Sequence, residues 1–283
     1  MTINYGPTVP FFKMHGSGND FVLIDNRKLR LPQAQMTLWA QKICPTAFGV
    51  GADGLIFLQQ APVGLDVDYI WHFYNADGSR AEMCGNGSRC AARLAYEIGL
   101  AERDHVFGTD AGPIRAVVDP TAGTVKVQLT PPEKLTLNTT LAVDGTDYVV
   151  HFVNTGVPHA VLLCDDVQAV DVLTLGRAIR RHAHFAPAGT NVNFAQVKAP
   201  CRMLLRTYER GVEGETYACG TGAAAAALVA HSLGLVEASV ELTTTGREIL
   251  QIHLENDTVF LEGHAVKTYR GEIFIESLGL QLP

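Results

Sequence analysis

The sequence predicts an α+β fold of two pseudo-symmetric lobes, each a strand-rich sheet or barrel wrapped around a central helix. Three observations predict it. One turn occurs twice, in "AEMCGNGSRC" from Ala81 to Cys90 and in "TYACGTGAAA" from Thr216 to Ala225, each a cysteine followed by Gly-x-Gly and a helix-forming run. Landmarks around the two turns recur at matching separations. Short apolar or alternating runs far outnumber helical patterns.

With Cys84 set on Cys219, Gly99-Leu100 falls on Gly234-Leu235, fifteen residues past each cysteine. Tyr74 lies ten residues before the first cysteine and Tyr208 eleven before the second. "TDAGPIRAVV" (Thr109 to Val118) matches "TTTGREILQI" (Thr243 to Ile252), and twelve residues past Gly112 and Gly246 a further strand begins, "TVKVQL" and "TVFLEG". Earlier in each half, "DFVLID" (Asp20 to Asp25) resembles "HAVLLCD" (His159 to Asp165), and "GADGLIFL" is a looser match to "GTNVNFAQV". Chance likeness of short apolar words does not keep such spacing. Two copies of roughly 130 residues make a duplicated domain, not a solenoid.

The strands follow in order as "FVLID", "YIWHFY", "IRAVV", "VKVQL", "YVVHFV", "MLLRTY", "SVELT" and "IFIES", all alternating or wholly apolar. Four helices are predicted: Met36 to Ile43, the run after Cys84, Val172 to Arg181 with Asp171 as N-cap, and the run after Cys219. The two after cysteines are rich in alanine and end at Gly99 and Gly234, placed as C′ glycines. The boundary between copies is expected after "LTPPEKL" (Leu129 to Leu135), where two prolines break a strand.

Composition narrows the function. The 283 residues are 47% hydrophobic and 18% charged, enough for a real core, with a formal net charge of -7. No basic stripe or tail is present, so nucleic acid is not an expected partner. No apolar run reaches membrane length, and "MTINYGPTVPFFKMHG" lacks the pattern of a secretory signal. Six cysteines are too sparse for a disulfide scaffold, so a reducing cytoplasm fits.

A cysteine at a helix start meets unpaired N–H groups and the positive end of the dipole, which favour a thiolate. The flanking glycines let backbone N–H groups converge on an anion such as a carboxylate. Two such turns facing each other across two lobes would place one thiol on each face of an α-carbon. One thiolate takes the α-proton and the opposite thiol returns a proton, which inverts the centre without a cofactor. Other readings are inert buried cysteines, or a Cys84–Cys219 disulfide formed on oxidation. Cys84 and Cys90 have poor zinc spacing, and the ten histidines show no metal pattern. Cys44, Cys164 and Cys201 read as packing residues.

"KMHGSGNDFVLID" (Lys13 to Asp25), "FYNADGSRAEMCGNGSRC" (Phe73 to Cys90), "TGVPHAV", "GTNVNF" and "YERGVEGETYACGTGA" (Tyr208 to Ala223) together resemble, in order and over essentially the whole chain, the diaminopimelate epimerase family. That family is related in fold to the proline racemases. The resemblance implies a cofactor-independent enzyme, with no metal, that interconverts LL- and meso-diaminopimelate on the route to lysine and peptidoglycan. It implies that Cys84 and Cys219 are the acid–base pair, and that Gly85, Asn86, Gly220 and Thr221 hold the reacting carboxylate. Asn19, Asn75, Asn191, Glu209 and Arg210 would bind the distal amino-acid end, and His159 and Glu209 would tune the thiols. It further implies a homodimer, a site in the cleft between the lobes, and lobes of 1–131 with 266–283 and 132–265, the segment from Val266 to Glu276 returning to complete the first.

Family members often carry Asn where this chain has Val157, and some carry Gln where it has Gly54. The "GVEGET" loop is one residue longer than the shorter family form, and alanine replaces a frequent later cysteine. The alternatives are a same-fold racemase of another amino acid such as histidine, a non-catalytic module for an acidic ligand, and a redox sensor.

Overall fold

The computed structural model describes residues 6–256 and 258–283. The N-terminal stretch read for a secretory signal therefore begins outside the described residues. The chain divides into two compact units, one running to Val127 and resuming with His264–Pro283, the other Gln128–Gly263.

The first unit contains β1 (Thr8–Gly16), β2 (Asn19–Asp25), α1 (Asn26–Leu29), α2 (Gln33–Ile43), β3 (Gly54–Gln60), β4 (Tyr69–Asn75), α3 (Gly85–Glu97), β5 (Asp104–Thr109), β6 (Gly112–Asp119) and β7 (Thr124–Gln128). The second contains β8 (Glu133–Val143), β9 (Thr146–Asn154), β10 (Pro158–Leu163), α4 (Val172–Arg180), β11 (Asn191–Ala199), β12 (Arg202–Glu209), β13 (Gly214–Thr216), α5 (Gly220–Ser232), β14 (Ser239–Thr243), β15 (Ile249–Glu255) and β16 (Thr258–His264). After β16 the chain enters β17 (Val266–Phe274), which pairs antiparallel with β1 in the first unit.

The two ladders follow one pattern. In the first unit the strand order is β17, β1, β2, β3, β4, β5, β6, β7, with β2–β3 and β4–β5 parallel and every other pair antiparallel. In the second it is β8, β9, β10, β11, β12, β14, β15, β16, with β10–β11 and β12–β14 parallel and the rest antiparallel. Parallel neighbours need a crossover, and a helix supplies each one. α2 and α3 serve the first unit, α4 and α5 the second. The repeat seen in the sequence is thus a repeat of connectivity.

The helices of each unit lie on opposite faces of its sheet. In β3, Leu55 and Phe57 pack with Met36, Trp39 and Ile43 of α2, whereas Ile56 reaches Gly87 of α3. A strand covered on both faces must be apolar at every position, which is why "GLIFL" shows no alternation. α3 packs on β1, β2, β3 and β6, and α5 on β9, β10, β11, β12 and β15. A helix enclosed this way needs small residues, and Ala223 to Ala227 are all fully buried.

Both enclosed helices end alike. Gly99 and Gly234 have φ of 64° and 73°, and Leu100 and Leu235 donate to Ala95 and Ala230 at 2.8 and 2.9 Å. Those bonds, with Gly99 donating to Tyr96 and Gly234 to His231, form a Schellman motif in each unit. Asp171 caps α4 as predicted, accepting from the Thr174 N–H. Cys44 is buried in the core beneath α2, where burial pushes its thiol up to about 12. Cys164 is half-buried. Cys201 departs from the packing role expected of it: it is exposed, because Pro200 and Cys201 form the surface connection from β11 to β12.

Candidate active site

Cys84 and Cys219 occupy the same structural position. Each is the N-cap residue of its enclosed helix, extended at φ −151° and −125°, and its carbonyl accepts the first helical bond, from Ser88 at 2.8 Å and Ala223 at 2.9 Å. Neither side chain caps the helix. The first-turn N–H groups, those of Gly85 to Gly87 and Gly220 to Gly222, lie before any intrahelical acceptor and suit an anion. Cys84 is half-buried and Cys219 is buried.

In the first unit the sheet carries the candidate residues to the α3 start. Ser17 and Gly18 form the two-residue β1–β2 turn, both with positive φ (60° and 81°) as the hairpin twist requires. Asn19 then opens β2, and the register Phe21–Gly54–Asn75 brings the ends of β2, β3 and β4 level. The Asn19 amide donates to Asp53 at 2.7 Å, which turns its oxygen toward the Cys84 thiol at 3.7 Å and the Asn86 amide at 3.3 Å. Asn86 in turn accepts from the buried Arg89 at 3.0 Å, and Arg89 also donates to Ser17. Asn75 donates to Ser79. Asn19, Cys84 and Asn86 therefore form one hydrogen-bonded group, with Asn75 held separately at the end of β4. Gly54 has no room for a side chain. A Cβ there would lie 2.6 Å from Phe73 and 2.8 Å from the Tyr74 carbonyl.

In the second unit β10, β11 and β12 do the same. His159 lies opposite Asn191 in the register, and Asn193 opposite Thr207. The Asn191 amide donates to the Pro158 carbonyl and its oxygen accepts the Arg210 N–H at 2.8 Å. The Arg210 guanidinium leans on the carbonyls of Ala188 and Gly189, and among the described residues no carboxylate pairs with it. Cys219 meets the Thr221 hydroxyl at 3.5 Å, and the Thr221 carbonyl accepts from Thr155. Val157 sits in the turn between β9 and β10.

Burial sets the charge state of two groups here. His159 is fully buried; burial, and then the positive charge of Arg210, hold its imidazole down at about 3, so it is neutral at pH 7. Burial raises the Glu209 carboxyl above the usual range, with the Thr216 hydroxyl opposing.

Sequence reasoning missed Asp53, Arg89, Asn193 and Thr207. Two signals were available: Arg89 is a charge on the buried face of an alanine-rich helix, and Asn193 is an amide between apolar Val192 and Phe194, two residues from Asn191 and so on the same face.

The model of the family described as diaminopimelate epimerase matches residues 11–135 and 151–268. The chain belongs to the diaminopimelate epimerase family. A diaminopimelate epimerase of Aquifex aeolicus is 48% identical, the alignment covering 95% of this chain and 99% of that protein. Those of Hydrogenobaculum sp. and Archaeoglobus fulgidus are 46% and 38% identical, covering 93% and 95% of this chain and 98% of each of them. Solved structures extend the fold further. A PhzF-family phenazine biosynthesis protein of Bacillus anthracis superposes with a TM-score of 0.69 at 15% identity, covering 94% of this chain and 99% of its own. A probable proline racemase of Agrobacterium radiobacter gives 0.65 at 15%, covering 94% and 92%. At that identity they speak for the fold alone. Among the described residues no helix is long and apolar enough to cross a membrane.

Proposed function

We propose that the protein is a diaminopimelate epimerase, interconverting the LL and meso forms by a two-thiol mechanism. The observation that carries this is the equivalence of Cys84 and Cys219: two thiols on two enclosed helices, in units of identical strand order. One thiol from each unit serves one α-carbon. Gly85 and Asn86 on one helix and Gly220 and Thr221 on the other offer N–H donors to the reacting carboxylate, whose negative charge would otherwise oppose carbanion formation. One cysteine, as thiolate, takes the α-proton; the other, as thiol, donates a proton to the opposite face. The pair then holds its proton in the reverse arrangement, so the reverse reaction uses the same two groups.

The distal amino acid needs one site for a carboxylate and one for an ammonium. Arg210 supplies a cation without a carboxylate partner among the described residues, while Asn19, Asn75, Asn191 and Glu209 supply acceptors and amide donors. His159 and Glu209 adjust the charge around the thiols. The reading includes a homodimer in the cytoplasm with no role for nucleic acid; the resemblance supports the first, sparse cysteines the second and the net charge of -7 the third. Sedimentation equilibrium tests the dimer.

The deciding experiment is single replacement of Cys84 and Cys219 by Ser, with α-proton exchange in deuterated water measured on diaminopimelate, histidine and glutamate. Loss of at least about 100-fold in turnover of diaminopimelate in each variant, on the scale of general acid–base catalysis, is the expected result. Unchanged turnover in either variant, or faster exchange on histidine, would reject the assignment.

A further inference from the structure

Asn193 is fully buried, and each of its polar atoms has a partner. Its Nδ2 lies 3.0 Å from the carbonyl oxygen of Ala160 and 3.0 Å from Nδ1 of His159. Its Oδ1 accepts from the Thr207 hydroxyl at 3.0 Å. A carbonyl only accepts, so the Ala160 contact fixes which end of the amide is nitrogen. One hydrogen of that NH2 group goes to Ala160 and the other points at His159. Nδ1 must then be the unprotonated nitrogen of a neutral ring, and the proton lies on Nε2. Nε2 is buried and has no hydrogen-bond partner among the described residues. Gly222, in the first turn of the Cys219 helix, closes the other side: a Cβ there would lie 2.3 Å from Asn193 Oδ1.

We infer that Asn193 is a positioning residue, holding His159 as a neutral Nε2–H donor, so that His159 serves the reaction by donating a hydrogen bond and not by accepting a proton from a thiol. The functional half of this rests on the epimerase reading above; the tautomer half does not. An N–H group without a partner in a buried place is costly, and an anion brought to it, as a thiolate or as substrate carboxylate, would satisfy it. A histidine with its lone pair on Nε2 would act in the opposite sense, as a base. Asn193 chooses between them. The depressed pKa of His159 agrees, since a cationic ring would set an N–H against the Asn193 amide hydrogens.

The test is nitrogen NMR of the full-length protein labelled with 15N in the histidine rings, with His159 assigned by the signals missing from His159→Gln. The expected spectrum at neutral pH shows an unprotonated Nδ1 and a protonated Nε2. In Asn193→Asp, a carboxylate replaces the amide donor, and the proton is expected to move to Nδ1. kcat/KM should fall about 10- to 100-fold, the range found when the group orienting a metal-bound imidazole is removed. Thr207→Val, which only loosens the amide, should give a mixture of the two tautomers and a smaller loss. A proton on Nδ1 in the unaltered protein overturns the inference, and that measurement requires no variant to fold. So does a tautomer switch in Asn193→Asp with kcat/KM unchanged. Retained turnover in the cysteine variants would remove the two-thiol reading while leaving the tautomer assignment standing, so the two failures are distinct.

Discussion

At the scale of single residues, the site is set by what backbone and side chain leave room for. Gly54 shows this. The Phe73 ring and the Tyr74 carbonyl occupy the space a side chain would need. Gly54→Gln is expected to lower stability by about 1–3 kcal/mol, the cost of overpacking, measured by urea unfolding. His159 makes a second prediction, through pH. Its folded-state value of about 3 lies below the ordinary 6.5, so between those values the unfolded chain binds the proton and the folded protein does not. Stability from this group is therefore complete above about pH 6.5 and is lost as pH falls toward 3. His159→Gln should make the stability curve shallower by up to about 1.4 kcal/mol per pH unit between pH 6 and 4, measured by urea unfolding across pH. Glu209 acts in the other direction: its raised carboxyl favours the folded state while protonated, and that contribution is lost as pH rises from about 4.5 through the raised value.

At the scale of elements, α3 and α5 bring the cysteines to their places, and each is fixed at both ends. The start is held by the cysteine carbonyl and the end by a Schellman glycine. Gly99 and Gly234 have open space around a notional Cβ, so substitution there meets only backbone strain. Gly99→Ala and Gly234→Ala should each cost roughly 1–2 kcal/mol, read from chemical denaturation, with kcat little changed. Inside α5 the demand is for volume. Ala225→Leu puts a larger side chain between strands on several sides and should cost more than about 3 kcal/mol or abolish folding, judged by circular dichroism and soluble yield.

The sequence shows these helices well, because alanine-rich runs, cysteine N-caps and C′ glycines are local signals. It shows the strands less fully. β13 is three residues long, β8 is a largely exposed edge strand with little apolar patterning, and β17 is an exposed edge strand whose partner, β1, lies far away in the chain. The candidate site divides similarly. Cys84, Cys219 and the glycines are legible because they sit in a duplicated motif. Asp53, Arg89 and Asn193 act through another side chain, at separations of 34 residues or more from Asn19, Ser17 and His159, and no local pattern exposes those pairings.

At the scale of the whole molecule, the shared ladder pattern is the strongest physical sign of duplication. It also shows an exchange: β8 opens the second unit's sheet directly after β7 of the first, and β17 opens the first unit's sheet directly after β16 of the second. A chain ending at Gly263 would leave β1 with its outer hydrogen-bonding edge uncovered from Thr8 to His15. Such an edge pairs with other chains. The truncated protein is expected to be insoluble or to elute as aggregate in size-exclusion chromatography, while replacement of exposed Tyr269 by Thr in the full chain leaves solubility unchanged.

The β1–β17 pairing also bears on biosynthesis. A ribosome releases Thr8–Gly16 before Val266–Phe274, with the whole second unit between them, so the first unit cannot finish its sheet until the second has emerged. During translation the incomplete border is a place where a holdase chaperone would bind, and the time taken to translate the second unit sets how long that exposure lasts.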